Sequence, residues 1–264
     1  MSLVFAGIAA HTPLLMPTIG KDGLTVIEKT KMAMEQLERE LFAAQPETII
    51  VLTPHGDSLP DALSINLNTK YVTNFEEFGD LVTKLEWKSE IMLVDRFRED
   101  FKNKHLPLVL GSSEHLDYGS AVPLYYVTQH LPQVRVVPLI VSQLDMKTHY
   151  TVGKALKDEI MGSTKRVAVI ASADLSHRVA ENSPEGLSAK GVAFDEKIVE
   201  IISKQHSVGI MDIDEPWIAE SRACGAKVIA TLCGLLDDVR HEAKILSYEK
   251  PFGVGYLVAQ MKIG

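Results

Sequence analysis

Short, almost wholly apolar runs alternate with helix-length stretches along the 264 residues, and this alternation constrains the fold more than any other feature. Leu3 to Ala9, Glu47 to Leu52, Val134 to Val141 and Arg166 to Ser172 are each too short for a helix and rich in Val, Ile and Leu, so each reads as a buried strand. From Thr25 to Ala44 the pattern changes: Ile27, Met34, Leu37, Leu41 and Ala44 fall on one helical face at spacings of seven, three, four and three. His149 to Ile160 and residues 187 to 204 are helical too, the latter with Phe194, Ile198 and Ile201 in line. Cys224 to Leu236 is apolar all round and reads as a buried helix, and Lys244 to Tyr248 with Gly255 to Met261 reads as a closing hairpin. Strands that are apolar on both faces need helices on both sides of their sheet. The pattern therefore predicts a single α/β domain over residues 1–264, with a central mostly parallel or mixed sheet flanked by helices on both faces. Pro138 suggests an edge or irregular place in its strand. Residues 56 to 108 follow no clear pattern and read as a long insertion near a binding cleft.

Charge and composition exclude several classes. Lys plus Arg is 27 and Asp plus Glu is 35, so the formal charge is 27 − 35 = −8. A nucleic-acid binder would normally carry a basic face, so none is expected as partner. No run reaches the roughly eighteen apolar residues that a bilayer span needs. The opening MSLVFAGIAAHTPLLMP is apolar but short and without a basic leader, which favours a core strand over a signal peptide. The two cysteines, Cys224 and Cys233, share one apolar stretch and make no disulfide framework. The expected location is the cytoplasm.

Ligands of open α/β sheets gather beyond the carboxyl ends of the strands. Three of the nine histidines stand there: His11 after LVFAGIAA, His55 after TIIVLTP and His177 after VAVIASADLS. A fourth, His115, lies in the loop GSSEHLDYGS ahead of a helix. Neutral imidazole is the commonest protein ligand for zinc, iron and copper, and further histidines nearby can move protons near neutral pH. His105, His130, His149, His206 and His241 fall in helical or surface contexts and are assigned no function. Tyr118, Tyr125 and Tyr126 could stack on an aromatic ligand, but they read better as core residues of the helix that follows.

The segments AGIAAHTPLL, TPHG, EHLDYGSAVPL, SADLSHR and SYEKPFGVGYLVA together resemble the LigB-type family of class III extradiol ring-cleavage dioxygenases and their Memo-like relatives, from about residue 5 to 259. SADLSHR and EHLDYGSAVPL carry most of that resemblance. It implies that His11 and His55 are metal ligands. It implies that His115 and His177 act as acid and base, with Asp174 orienting His177 through a hydrogen bond. Fe(II) is the implied cofactor, with zinc or copper as alternatives. The implied partners are a small aromatic substrate of the catechol type and O2, and the relatives suggest a homo-oligomer.

For the third ligand the segment WIAESRACGAKVIATLCGLL offers two residues. Ring-cleaving members use a glutamate near a late helix, for which Glu220 is available, whereas Memo-like relatives have a cysteine in an ACG segment, where Cys224 stands. If one helix carries both, they lie at i and i+4 on one face and both point into one site. A carboxylate would complete the two-histidine, one-carboxylate triad of iron oxygenases, while a thiolate favours zinc or copper(I). The sequence thus carries two functional expectations: a metal-dependent extradiol dioxygenase, or a Memo-like metal or redox protein without ring cleavage.

Overall fold

The structure, a computed structural model, describes residues 2–264. Four apolar runs become the parallel heart of a ten-stranded sheet: β1 (Leu3–Ala9), β2 (Thr48–Thr53), β7 (Arg135–Ile140) and β8 (Val167–Ser172), in the spatial order β7-β2-β8-β1. Every residue of β2 and β8 is buried, which is why neither shows strand-like alternation. On one side the antiparallel hairpin of β10 (Tyr256–Ile263) and β9 (His241–Glu249) extends the sheet, with β10 pairing to β1. The sheet is therefore mixed, as expected, and the closing hairpin forms where its sequence placed it.

Helices cover both faces. Alternate residues of the central strands point opposite ways. Phe5, Ile49, Val51, Ala168 and Ile170 pack in one core with α2 (Glu28–Ala44) and α4 (Tyr118–Val127). Leu3, Ile8, Ile50, Val137 and Val169 pack in the other, with α3 (Ile91–Asn103), α5 (Met146–Met161), α6 (Ala189–Lys204) and α8 (Ala226–Leu236). The backbones of α5 and α8 nearly touch: a Cβ on Gly153 would lie 2.0 Å from the Thr231 carbonyl oxygen, and one on Gly234 would lie 1.9 Å from that of Tyr150. Glycine at both positions is what lets these helices approach so closely.

Residues 56 to 108 are an ordered part of the sheet rather than a loop. They hold β3 (Leu63–Asn66), β4 (Lys70–Phe75), β5 (Asp80–Ser89) and α3, and lead into β6 (Leu108–Gly111). These strands pair in both directions on the far side of β7, so no single apolar period marks them in the sequence. Pro138 lies in a central strand, not an edge, yet its place is irregular. The Val136 carbonyl accepts from Glu90 N–H, while Arg135 and Val141 N–H donate to Glu47 and Thr53, so even-numbered positions of β7 face away from β2. On that side β5 pairs as far as Val136 and β3 begins at Leu139 and Ile140. Pro138 faces the gap between them, where an N–H has no partner to lose.

The late helix foreseen from Cys224 starts at Ala226 and is separate from α7 (Glu215–Ser221). Arg222 ends α7 in the left-handed conformation with φ 53°. Glu220 and Cys224 therefore do not share a helix face, contrary to the expectation from their spacing. Short segments complete the chain, among them α1 (Pro17–Gly20) after the β1 loop.

Candidate metal centre

The carboxyl ends of β1, β2 and β8 are adjacent, and each passes a polar residue into the same space. Beyond β1, the His11 backbone N–H donates to Asp174 Oδ1 at 3.0 Å, and its ring Nδ1 lies 2.9 Å from Ser172 Oγ, the last residue of β8. Beyond β2, the His55 N–H donates to Thr53 Oγ1 at 3.2 Å, and that hydroxyl donates to Asp117 Oδ1 at 3.1 Å. Asp117 is the N-cap of α4, where it also accepts from Ser120 N–H at 3.0 Å. The Nε2 atoms of His11 and His55 are thereby brought to 3.1 Å from each other.

Cys224 enters from the turn before α8. The Gly225 N–H donates to the Asp174 carbonyl at 3.0 Å, which pins this turn to the β8 loop. Cys224 Sγ lies 3.5 Å from His11 Nε2 and 3.9 Å from His177 Nε2. Ligand atoms of His11, His55 and Cys224 all fall within 4.8 Å of one another. His177 is held from behind: its N–H donates to the Ser221 carbonyl at 3.2 Å, and the preceding Ser176 N–H donates to Asp195 Oδ1 at 2.8 Å.

Glu220 does not reach this cluster. Its Oε1 accepts from Arg178 Nη1 and Ser188 Oγ, each at 3.0 Å, on the outer side of α7. The break at Arg222 turns Cys224 inward and leaves Glu220 on the surface. His115 is exposed, and it pairs by backbone with Val72 of β4, while its neighbour Leu116 turns into the core. Tyr118, whose place in the sequence suggests a core residue, faces the cluster instead. Its hydroxyl lies 3.2 Å from His55 Nε2, its ring centroid is 4.5 Å from that of His55, and Phe78 packs edge-on against its other side at 5.3 Å. The signal for Tyr118 was its place in EHLDYGSAVPL, three residues after His115.

Electrostatics suit a cation. Burial drives the pKa of His11 down to about 3, the charge of His177 adds to this, and the polar backbone of Ser172 works the other way. Burial likewise lowers that of His55, with help from His11 and against the pull of Asp117. Both imidazoles are neutral near pH 7, the state a metal ligand must have. Burial pushes the Asp174 carboxyl up to about 7 and raises the Cys224 thiol well above its ordinary range. A bound cation reverses that last effect, since a coordinating thiol is deprotonated outright.

The donor set fits a metal ion. A metal about 2.1 Å from a nitrogen and about 2.3 Å from a sulfur, at tetrahedral angles, leaves those atoms about 3.6 Å apart. His11 Nε2 and Cys224 Sγ are 3.5 Å apart. A cavity of about 280 Å³ borders Cys224, lined by Pro54, Ser58, Ser142, Gln143 and Lys227 among others. The larger hollows include two, of about 470 and 420 Å³, that lie toward the other end of the strands around Trp87 and Phe42 and contain no residue of the cluster.

Comparison with known proteins agrees with this architecture. Protein CA_C1420 of Clostridium acetobutylicum is 27% identical over 99% of the chain, which spans only 58% of that protein's length. The crystal structure of the uncharacterized protein JW3007 from Escherichia coli K12 superposes with a TM-score of 0.67 at 17% identity, over 99% of this chain and 100% of that one, a likeness of fold. No helix among the described residues is long and apolar enough to cross a membrane. The family model for the catalytic LigB subunit of aromatic ring-opening dioxygenase matches residues 6–259, and the chain belongs to that family.

Proposed function

We propose that the chain is a metal-dependent oxidoreductase that acts on a catechol-like aromatic together with O2, with His11, His55 and Cys224 as its metal ligands. The observation that carries this reading is the convergence of those three side chains, with His177 beside them, at the carboxyl ends of adjacent strands. Fe(II) is the cofactor implied by the family, and such a metal, when bound, supplies open positions at which a diol and oxygen can meet.

The chain's own residues then do the following. His11 and His55 offer neutral Nε2 atoms, and burial keeps them neutral. Ser172 and Thr53 fix the orientation of those two segments. His177, 3.9 Å from Cys224 Sγ, is placed to take a proton from a substrate hydroxyl and to return one to the opened product. Tyr118 and Phe78 wall the site beside His55, and a substrate ring can lie against them. Asp174 acts on His11 and on the turn of Cys224 rather than as a partner of the His177 ring, because its Oδ1 and its carbonyl face those two groups. His115, exposed in this structure, has no step assigned to it.

Cys224 favours a second reading. A thiolate in place of a carboxylate suits zinc or copper(I) better than isolated ferrous iron, and a Memo-like metal or redox protein would use it without opening a ring. Oxygen uptake after anaerobic reconstitution with ferrous iron separates the two. A panel of catechols and aminophenols should give uptake and a new ring-opened chromophore, both abolished in His11→Ala. No uptake in protein shown to hold iron would overturn the ring-cleavage reading in favour of the second.

A further inference from the structure

The His11 ring lies 2.9 Å from a hydroxyl whose own hydrogen is already committed. Ser172 Oγ also hydrogen-bonds the Gly119 carbonyl, which can only accept, so the single hydroxyl hydrogen of Ser172 points there. The Gly119 carbonyl sits in the first turn of α4, and its helical partner four residues on would be the N–H of residue 123. That residue is Pro123, which has no N–H. The carbonyl is thus left free by the sequence GSAVP, and the Ser172 hydroxyl supplies its donor. Ser172 is fully buried, so no water competes for the position. With its hydrogen spent on Gly119, Ser172 Oγ can only accept from His11.

From this we infer that Ser172, held by Pro123 through the Gly119 carbonyl, is a positioning residue that locks His11 in the Nδ1–H tautomer and leaves the Nε2 lone pair facing His55 and Cys224. The same turn of α4 braces the other histidine, since its N-cap Asp117 accepts from Thr53, whose hydroxyl holds the His55 N–H. One helix terminus therefore orients the His11 imidazole and holds the backbone of His55. Partners of this kind commonly contribute about 10–100-fold to metal affinity.

The inference rests on the metal-centre reading for its consequence but not for its geometry, so two measurements are needed. The first is a long-range ¹H–¹⁵N spectrum of the metal-free wild type near pH 7, with the His11 signals assigned by their loss in His11→Gln. It should show Nδ1 protonated and Nε2 bare. The second is the zinc dissociation constant of Ser172→Ala, expected to rise about 10–100-fold over wild type, with Nε2–H signal appearing for His11 in the same variant. An Nε2–H tautomer in the wild type, or unchanged zinc affinity in folded Ser172→Ala, would overturn the inference. Failure of the wild type to bind zinc or ferrous iron at all would instead overturn the metal-centre reading, and the wild-type spectrum would still decide the tautomer.

Discussion

Among single residues, Glu220 and Cys224 part ways. Cys224 Sγ faces His11 and His177, whereas Glu220 spends its carboxylate on Arg178 and Ser188. Cys224→Ser should weaken metal binding by more than the roughly 10–100-fold that loss of an outer partner gives, as read by calorimetric titration. Glu220→Gln should leave metal affinity unchanged and alter stability by no more than about 1 kcal/mol, the range of an exposed ion pair. His177→Ala should retain metal, because His11, His55 and Cys224 are untouched, yet lose about 10²–10⁴-fold in turnover of any catechol the wild type cleaves. A His177→Ala variant that lost its metal would place His177 among the ligands instead.

At the scale of elements, the α5–α8 contact is the tightest joint beneath the site. It supports α8, whose N-terminal end carries the Cys224 turn. Gly234→Ala would press a methyl onto the Tyr150 carbonyl and should cost about 1–3 kcal/mol or more, measured by denaturant unfolding. The central strands and the helices α2, α5 and α6 were legible in the sequence because one physical demand, burial on one or both faces, sets their pattern. The segment from β3 to β6 was not, since short strands that pair both parallel and antiparallel leave no common period. The four histidines were visible as residues at strand ends and in a loop, but which of them converge depends on how side chains alternate beyond the strands. His115 and Leu116 show this: their backbone pairs with β4, and the register sends Leu116 inward and His115 out. The end of α7 at Arg222 was likewise hidden, because a left-handed arginine leaves no sequence signal of the kind glycine gives. His149, read as unremarkable, is fully buried, with Nδ1 bonded to the Asp145 carbonyl and Nε2 accepting from Ser142 N–H.

For the whole molecule, that buried histidine makes stability depend on pH. Burial lowers its pKa from 6.5 to about 4, so between those values the unfolded chain holds the extra proton. Its contribution is complete above pH 6.5 and is lost as pH falls toward 4, by about 3 kcal/mol. Asp174 and Asp195 act in the opposite sense. Burial raises both from 3.8 to about 7, so what they contribute is present in acid and lost as pH rises through that interval. Urea unfolding of the metal-free protein should therefore show a flatter loss of stability on acidification in His149→Gln than in wild type. An unchanged slope would mean that His149 is already as easily protonated in the fold as outside it. A centre of two imidazoles and one thiolate is also a property of the whole fold, because folding must bring together His11 and Cys224 across 213 positions of sequence. X-ray absorption at the metal edge of reconstituted protein tests it most directly. The spectrum should show one sulfur at about 2.3 Å with nitrogen neighbours at about 2.1 Å, the sulfur lost in Cys224→Ser and kept in Glu220→Gln. A shell of nitrogen and oxygen alone in the wild type would contradict it.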